Sequence, residues 1–425
     1  MGRPSALVIG GSLGGLFAAN LLRTIGWDAA VFERASGDLA SRGTGLGTRD
    51  ELFAVMRRIG IRDDGAIGVE VRSRVCLGAG GDVICEIPVR QISTAWDRIY
   101  HALRNALPSE LYNSGMQLER FEPDARKITA VFTDGTRIEG DLIIGADGIY
   151  SAVRQQLIPH LKPSYAGYVA WRGVAEEDDV PVEFRPAVFE HMNFCFPDGE
   201  LALTVPMTPL FDAARASLRR CQFSWFRPVG NGEKLAQLCT DASGRRHGAS
   251  IPPPLIRPEL LAALRVRSKA ILAPQVAVLI ERAKQTIMQS IFDLESPQLV
   301  FGRALLLGDA AFVARPHVGT GVTKAALDAQ CLVDALQATG NDIESALAWY
   351  DRDRRQFGRR LVRRGRYLGG YLTAQLKPRN QRTAAELYRR PETVMSEFGG
   401  AAMLCNLEPR GARSPCSRAS LAHGA

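Results

Sequence analysis

The chain has 425 residues, 46% of them hydrophobic and 23% charged, with a formal net charge of +8. That length allows two or three lobes with ample core, and no apolar run approaches the roughly 18 residues that would span a membrane. The charge is concentrated: residues 351–425 hold 16 Lys+Arg against 6 Asp+Glu, which leaves the first 350 residues near neutral, and no nucleic-acid fold signature accompanies the basic end, so neither nucleic acid nor membrane is expected as a partner.

The N-terminus enters a strand directly, with no signal-peptide pattern. Ala6-Leu7-Val8-Ile9 reads as a buried strand, Gly10-Gly11-Ser12-Leu13-Gly14-Gly15 as a turn, and Leu16–Leu22 as an apolar helix. A second strand, Ala29–Phe32, ends in Glu33, 18 residues after Gly15. This is the βαβ unit that binds the ADP half of a dinucleotide. Gly10 permits the tight turn, and Gly15 lets helix and strand pack closely. Position 12 lets the backbone approach a pyrophosphate seated on the helix N-terminus. Ser12 stands where the fingerprint has a second glycine, but it is small and its hydroxyl can donate. Glu33 can accept hydrogen bonds from a ribose. Gly11, Leu13, Gly14, Arg34 and Leu118 complete this part of the candidate cofactor set.

Next come Gly43-Thr44-Gly45-Leu46-Gly47 with Arg49, and then a strand-rich insert, Val69–Val89, with a hairpin at Gly78–Gly81. Cys76 and Cys85 flank that hairpin. The eight cysteines are scattered without a Cys-x-x-Cys pair, which points to reduced thiols in a cytoplasmic protein. Asp141–Gly148 is a buried strand ending in a glycine-flanked acid, Asp147, and Ser151–Arg154 starts a helix. From 161 to 295 strands are expected at Tyr168–Val174, Ala187–Phe196, Leu201–Val205, Cys221–Phe226 and Ile287–Phe292, with short helices at Glu259–Val266 and Gln275–Arg282. Ala304–Ala311 is a third acid-tipped strand, carrying Asp309. It leads through Arg315-Pro316-His317 and Gly319-Thr320-Gly321 to a helix from about Thr323. Three such strands suit a long, two-ended cofactor such as FAD. One long helix is expected over Ala346–Gln375, weakened at Gly365, Gly369 and Gly370. Its eight arginines between Arg352 and Arg366 read as a solvated face. Residues 378–425, rich in Pro, Gly, Ser and Arg, read as a disordered basic tail that catalysis can do without.

The Gly10–Gly15 turn, Gly145-Ala146-Asp147-Gly148 and Gly308-Asp309-Ala310-Ala311, in that order, resemble the single-component FAD-dependent aromatic hydroxylases over roughly residues 5 to 375. The resemblance implies an α/β fold: a Rossmann-like FAD-binding domain of the glutathione reductase type, a β-sheet substrate domain and a long C-terminal helix. The FAD domain would be discontinuous (1–70, 95–160 and 296–350), the substrate domain 71–94 and 161–295, and the helix 346–376. The implied reaction is hydroxylation of a phenol-like or hydroxypyridine-like ring by non-covalent FAD, O2 and NADH or NADPH. It requires shielding a C4a-hydroperoxyflavin from water. No second glycine-rich unit exists for the nicotinamide, which would visit transiently. No metal is implied, and a homodimer is compatible with the resemblance.

By the same resemblance Asp309 holds the ribityl chain, and Gly319, Thr320 and Gly321 lie near the flavin ring. Thr320 and Thr323 replace the common Gln and Asn there. Trp96 stands where most relatives have an arginine, and Arg98 or Arg49 could substitute electrostatically. For proton transfer, His317 is either a general base or a loop-structuring residue, and His191 is a second candidate. Tyr168 and Arg172 fall on one face of a strand and Trp171 on the other. Arg172 either pairs with a substrate oxyanion or carboxylate or forms a salt bridge across the sheet. Trp225 and Phe194 either wall the pocket or fill the core. Two other readings share the fold. One is a flavoprotein epoxidase, halogenase or reductase, although the halogenase Trp-x-Trp-x-Ile-Pro pattern is absent. The other is a non-enzymatic flavin-binding protein.

Overall fold

The computed structural model describes residues 2–399 except 40–44, 63–66, 125, 210–218, 231, 249, 388 and 389. Gly43-Thr44 and the tail from 400 onward therefore lie outside the described residues.

Two sheets organise the chain. The first has six strands in the order Val300–Phe301, Ala304–Leu306, Leu142–Gly145, Ser5–Ile9, Asp28–Glu33 and Tyr112–Ser114. Its pairings are parallel except for the hairpin Val300–Phe301/Ala304–Leu306. Val8 lies between Ile144 and Val31, and all three are buried. A parallel sheet covered on both faces needs such continuous apolar runs. Helices Leu13–Thr24 and Gly321–Ala338 pack on each other beside it. Because strands Asp28–Glu33, Leu142–Gly145 and Ala304–Leu306 all run parallel to Ser5–Ile9, Glu33, Asp147 and Asp309 all emerge at their carboxyl ends. That edge is where open α/β sheets bind ligands.

The second sheet has nine strands, with Ser164–Glu176, Arg220–Pro228 and Leu201–Met207 at its centre. The inserted hairpin, Val69–Leu77 and Val83–Ala95, joins it through a parallel pairing with His191–Cys195. Strand alternation sorts its faces. Val169, Trp171, Trp225 and Met288 pack against helices Pro258–Ile271 and Pro274–Arg282. Tyr168, Ala170, Leu203, Val205 and Phe226 belong to the opposite face.

Four expectations are corrected. Ala187–Phe196 is not one strand: Arg185–Glu190 is a helix, and the strand is His191–Cys195. Pro186 sits in the first turn of that helix, where its missing N–H costs nothing. The long helix runs Ile343–Leu368 and breaks at Gly369, with a separate turn at Gly370–Ala374. Two of its glycines are there for close approach: a Cβ at Gly358 would meet Phe312 at 2.4 Å, and one at Gly365 would meet the Arg315 nitrogen at 2.9 Å. Its arginines are a solvated face only in part: Arg352, Arg359, Arg363 and Arg366 are exposed. Arg354 is buried and pairs with Asp328 at 2.7 Å, while Arg359, Arg364 and Arg366 reach Glu295, Glu397 and Asp293. Finally, the chain beyond 377 is not a loose arm as far as it is described. Pro391–Glu397 is a helix, and Val394, Met395 and Phe398 are buried. Three apolar side chains at helical spacing dock it, a signal that the polar average of the segment conceals.

Candidate active site

A cavity of about 690 Å³ lies between the carboxyl edge of the first sheet and the face of the second. On the cofactor side, Ser12 is the N-cap of helix Leu13–Thr24, and its side chain makes no capping bond. Ser12, Leu13 and Gly14 line the cavity, so the positive end of the helix opens onto it. The glycines around this end have backbone causes. Gly10 has φ 108°, and a Cβ there would lie 2.5 Å from the Ala146 oxygen. A Cβ at Gly15 would lie 1.9 Å from the Gly10 oxygen, and one at Gly11 would lie 2.2 Å from the Tyr112 hydroxyl. Gly11 and Gly15 are absent from the cavity lining and shape the turn from behind.

Glu33 accepts from the Gly11 N–H at 2.8 Å and the Ala35 N–H at 2.9 Å. Each carboxylate oxygen keeps a further lone pair, and Glu33 lines the cavity with Arg34 and Leu118. Asp147 caps helix Ala152–Leu157, accepting from the Ala152 N–H at 2.6 Å. Burial pushes its carboxyl upward, and its Oδ1 is buried without a partner. Arg154 donates to the Ala310 carbonyl at 2.9 Å and so ties the second acid-tipped strand to the third.

Asp309 is half exposed on the rim and pairs with Lys324 Nζ at 2.6 Å. Lys324 is buried and also donates to the Phe312 carbonyl at 2.6 Å. Its sequence signal is faint: a lysine in the first turn of a helix whose neighbouring positions Val322, Ala325 and Ala326 are apolar. Gly319, Thr320 and Gly321 line the cavity, Gly319 has φ 60°, and the buried Thr320 Oγ1 has no partner. A helix end facing the cavity, a glycine cradle that a Cβ would fill, and two orphaned buried oxygens together fit a phosphate-bearing, polyhydroxylated cofactor such as FAD.

Two electrostatic substitutes were expected. Arg49 lines the cavity and donates to the Gly399 carbonyl. Arg98 is absent from the lining, and its Nε donates to the Pro209 carbonyl at 3.2 Å. That placement for Arg98 is corrected. Trp96 does line the cavity, stacked on Tyr100 at 5.0 Å.

At the other end, the Tyr168 hydroxyl and His317 Nε2 are 2.8 Å apart, and neither residue has exposed surface. Phe226 and Phe398 pack on the His317 ring at centroid distances of 4.6 and 5.8 Å. A general base must reach the proton it takes. His317 and Tyr168, expected at the substrate, instead form a layer behind the wall. His191 is also elsewhere, with its Nδ1 2.6 Å from Ser73 Oγ. Trp225 and Phe194 are fully buried and absent from the lining. Met192, Leu203, Val205, Phe226 and Phe398 form the apolar wall.

Arg172 lines this end. Its Nε is buried without a partner, and burial lowers its guanidinium to about 10. Arg74 lies nearby, lowered to about 10 by burial and then by the charge of Arg49. Unlike Arg172, it is engaged, donating to the Phe398 carbonyl at 2.6 Å, the Met395 carbonyl and Gln91 Oε1. Gly399 N–H donates to the His317 carbonyl at 3.0 Å. The C-terminal segment thus closes the cavity, a function the sequence reading did not find. Among the described residues, no cluster of His, Cys, Asp and Glu could hold a metal, and no helix is long and apolar enough to cross a membrane.

Comparison with known proteins agrees with this architecture. Residues 165–293 match a family described as FAD binding domain-like, and residues 276–365 match an FAD binding domain. The chain is 32% identical to 2,6-dihydroxypyridine 3-monooxygenase of Paenarthrobacter nicotinovorans over 82% of this chain and 87% of that protein. It is 27% identical to 6-hydroxynicotinate 3-monooxygenase of Pseudomonas fluorescens, over 83% and 87% of the two chains. The solved structure of 2,6-dihydroxypyridine-3-hydroxylase from Arthrobacter nicotinovorans superposes with a TM-score of 0.81 at 28% identity, covering 88% of this chain and 93% of that one. The chain belongs to the single-component FAD-dependent aromatic hydroxylases and is an FAD-dependent monooxygenase.

Proposed function

We propose that this enzyme hydroxylates a small ring of the hydroxypyridine or phenol type at the expense of NADH or NADPH. The observation that carries this reading is the continuity of one cavity. It joins the carboxyl ends of three cofactor strands to an apolar chamber that contains a partnerless arginine.

When bound, FAD supplies the acceptance of reducing equivalents and the activation of O2. The chain supplies binding, orientation and exclusion of water. The amides at Ser12–Gly14 would hold the pyrophosphate, Glu33 and Arg34 the adenosine end, and Asp309 the ribityl hydroxyls. The backbone of Gly319–Gly321 would take the ring. Met192, Leu203, Val205, Phe226 and Phe398 would surround the substrate and keep water out. His317 and Tyr168 would stiffen the wall from behind, bonded to each other.

We place the enzyme in the cytoplasm. The eight scattered cysteines, without a Cys-x-x-Cys pair, support this.

The purified protein should be yellow, with one FAD that heat or acid releases into solution; flavin retained by the precipitate would contradict non-covalent binding. Asp309→Ala should weaken FAD binding ~10- to 100-fold, the worth of a charge-assisted hydrogen bond of ~1.5–3 kcal/mol. Equal affinity by fluorescence titration would remove Asp309 from the site. The function itself is tested with a panel of hydroxypyridines and phenols, scoring NAD(P)H consumption and peroxide together. At least one ring should stimulate oxidation without matching peroxide release. Consumption that no ring stimulates, or that ends wholly in peroxide, would overturn the proposal.

A further inference from the structure

We infer that the substrate binds as an anion, with a ring oxyanion or carboxylate held by Arg172, and that the enzyme carries no base of its own for the ring. This rests on the hydroxylase reading above and specifies the charge state of its substrate.

Arg172 lies opposite Ser224 on one neighbouring strand and Ile287 on the other. With Tyr168 and Ala170 it shares the face turned toward the cofactor lobe. A charge taken from water is costly unless something of opposite sign meets it. The buried arginines elsewhere are all compensated: Arg315 pairs with Asp293 at 2.9 Å, Arg354 with Asp328 at 2.7 Å and Arg220 with Asp97 at 3.2 Å, while Arg154 and Arg74 donate to backbone carbonyls. Arg172 makes no ion pair or hydrogen bond among the described residues, and its Nε is fully enclosed. It nevertheless lines the cavity. A fold that leaves one guanidinium uncompensated at a binding surface reserves it for a ligand of opposite charge.

The second observation concerns the rest of that chamber. The acids lining the cavity are Glu33, Asp147 and Asp309, all on the cofactor edge. The polar groups on the sheet side are Arg172, Arg74, Gln91, Gln222, Ser224, Gln289 and Ser290. None of these can accept a proton at neutral pH. Gln222 Nε2 donates to Ser224 Oγ at 2.8 Å, which leaves the Ser224 hydroxyl hydrogen available to a ligand beside Arg172. The chamber is therefore built to stabilise a negative charge already present. An ionised ring hydroxyl is also the electron-rich form that electrophilic oxygen transfer needs, so the same contact would bind and activate.

The test compares wild type with Arg172→Met and Arg172→Lys, each loaded with FAD. Dissociation constants for three probes are read from the flavin absorbance change. The probes are 2,6-dihydroxypyridine, which has ring hydroxyls only, 6-hydroxynicotinate, which adds a carboxylate, and 6-hydroxynicotinamide, its neutral counterpart. Wild type should prefer at least one of the two acidic probes over the amide by roughly tenfold to a hundredfold, and Arg172→Met should lose that preference. Arg172→Lys should restore part of it. Loss confined to 6-hydroxynicotinate assigns the carboxylate to Arg172; loss for 2,6-dihydroxypyridine assigns the ring oxyanion. Melting without ligand separates this role from a structural one. Removing an unpaired buried charge should leave Tm unchanged or raise it, whereas breaking a structural salt bridge would lower it. If wild type hydroxylates a ring and Arg172→Met binds that ring equally well, the inference fails and the hydroxylase reading stands. If wild type binds none of the three probes, the inference fails, and the hydroxylase reading is decided by the wider panel above.

Discussion

Removing residues 378–425 should abolish coupled hydroxylation and lower Tm markedly. Val394, Met395 and Phe398 are 2%, 0% and 8% exposed, and burying each such side chain is worth ~1.5–3 kcal/mol. Truncation also strips Arg74 of the Met395 and Phe398 carbonyls and Arg364 of Glu397. With Arg49, which loses the Gly399 carbonyl, three guanidiniums that the tail now satisfies would have to find water or disorder their surroundings. The cavity would open beside Gly319, whose Cβ position is 2.9 Å from Gly399 Cα. Water would then reach a site that must stay dry. The truncated protein should lose FAD or convert NAD(P)H oxidation to peroxide. The milder Phe398→Ala keeps the backbone carbonyls and should raise the peroxide fraction with FAD retained. A truncated enzyme with wild-type Tm and coupling would show that the segment is not part of the working site.

Gly15→Ala should yield a colourless, destabilised protein, whereas Gly14→Ala should stay yellow. Both glycines lie in the first turn of the same helix. At Gly15 the new carbon would stand 1.9 Å from the Gly10 carbonyl oxygen, a backbone atom that cannot rotate away. Relief would require moving the strand end or the helix, and with it the amides aimed at the cofactor. At Gly14 the nearest atom is Leu307 Cδ2 at 3.3 Å, the tip of a flexible side chain. Helix propensity favours alanine at both positions by up to ~1 kcal/mol, so a loss confined to Gly15 reports the backbone clash. Flavin content and Tm of the pair check this, and a yellow Gly15→Ala with normal affinity would contradict it.

The contrast between the two ends of the cavity explains what was legible in the sequence. The cofactor end is written in short-range grammar. A glycine that needs positive φ at Gly10, a close approach at Gly15 and an acid at a strand tip such as Glu33 or Asp147 all leave local marks. The substrate end depends on contacts between distant segments. Strand periodicity put Tyr168 and Arg172 on one face, yet it cannot tell which of them reaches the cavity. Tyr168 is covered by residues as remote as His317, whose own ring is closed off by Phe398. Likewise, composition marked the C-terminal segment as unstructured because its three anchoring side chains are diluted by polar neighbours. Half of the arginines of the long helix do face solvent, but the buried pairing of Arg354 and the ion pairs of Arg359 and Arg366 were hidden because their partners, Asp328, Glu295 and Asp293, lie on other elements. Arg172 was recognisable as a candidate, but that it lacks a partner among the described residues is a property of the packed structure alone.

The central claim is that this cavity transfers one atom of O2 to an aromatic ring. The most direct measurement is turnover under ¹⁸O2 with NAD(P)H and the ring that best stimulates oxidation, followed by mass spectrometry of the product. The account predicts a hydroxylated ring carrying one ¹⁸O atom, formed in step with NAD(P)H consumed. An unlabelled product, or an unchanged ring with all reducing equivalents recovered as peroxide, would contradict it.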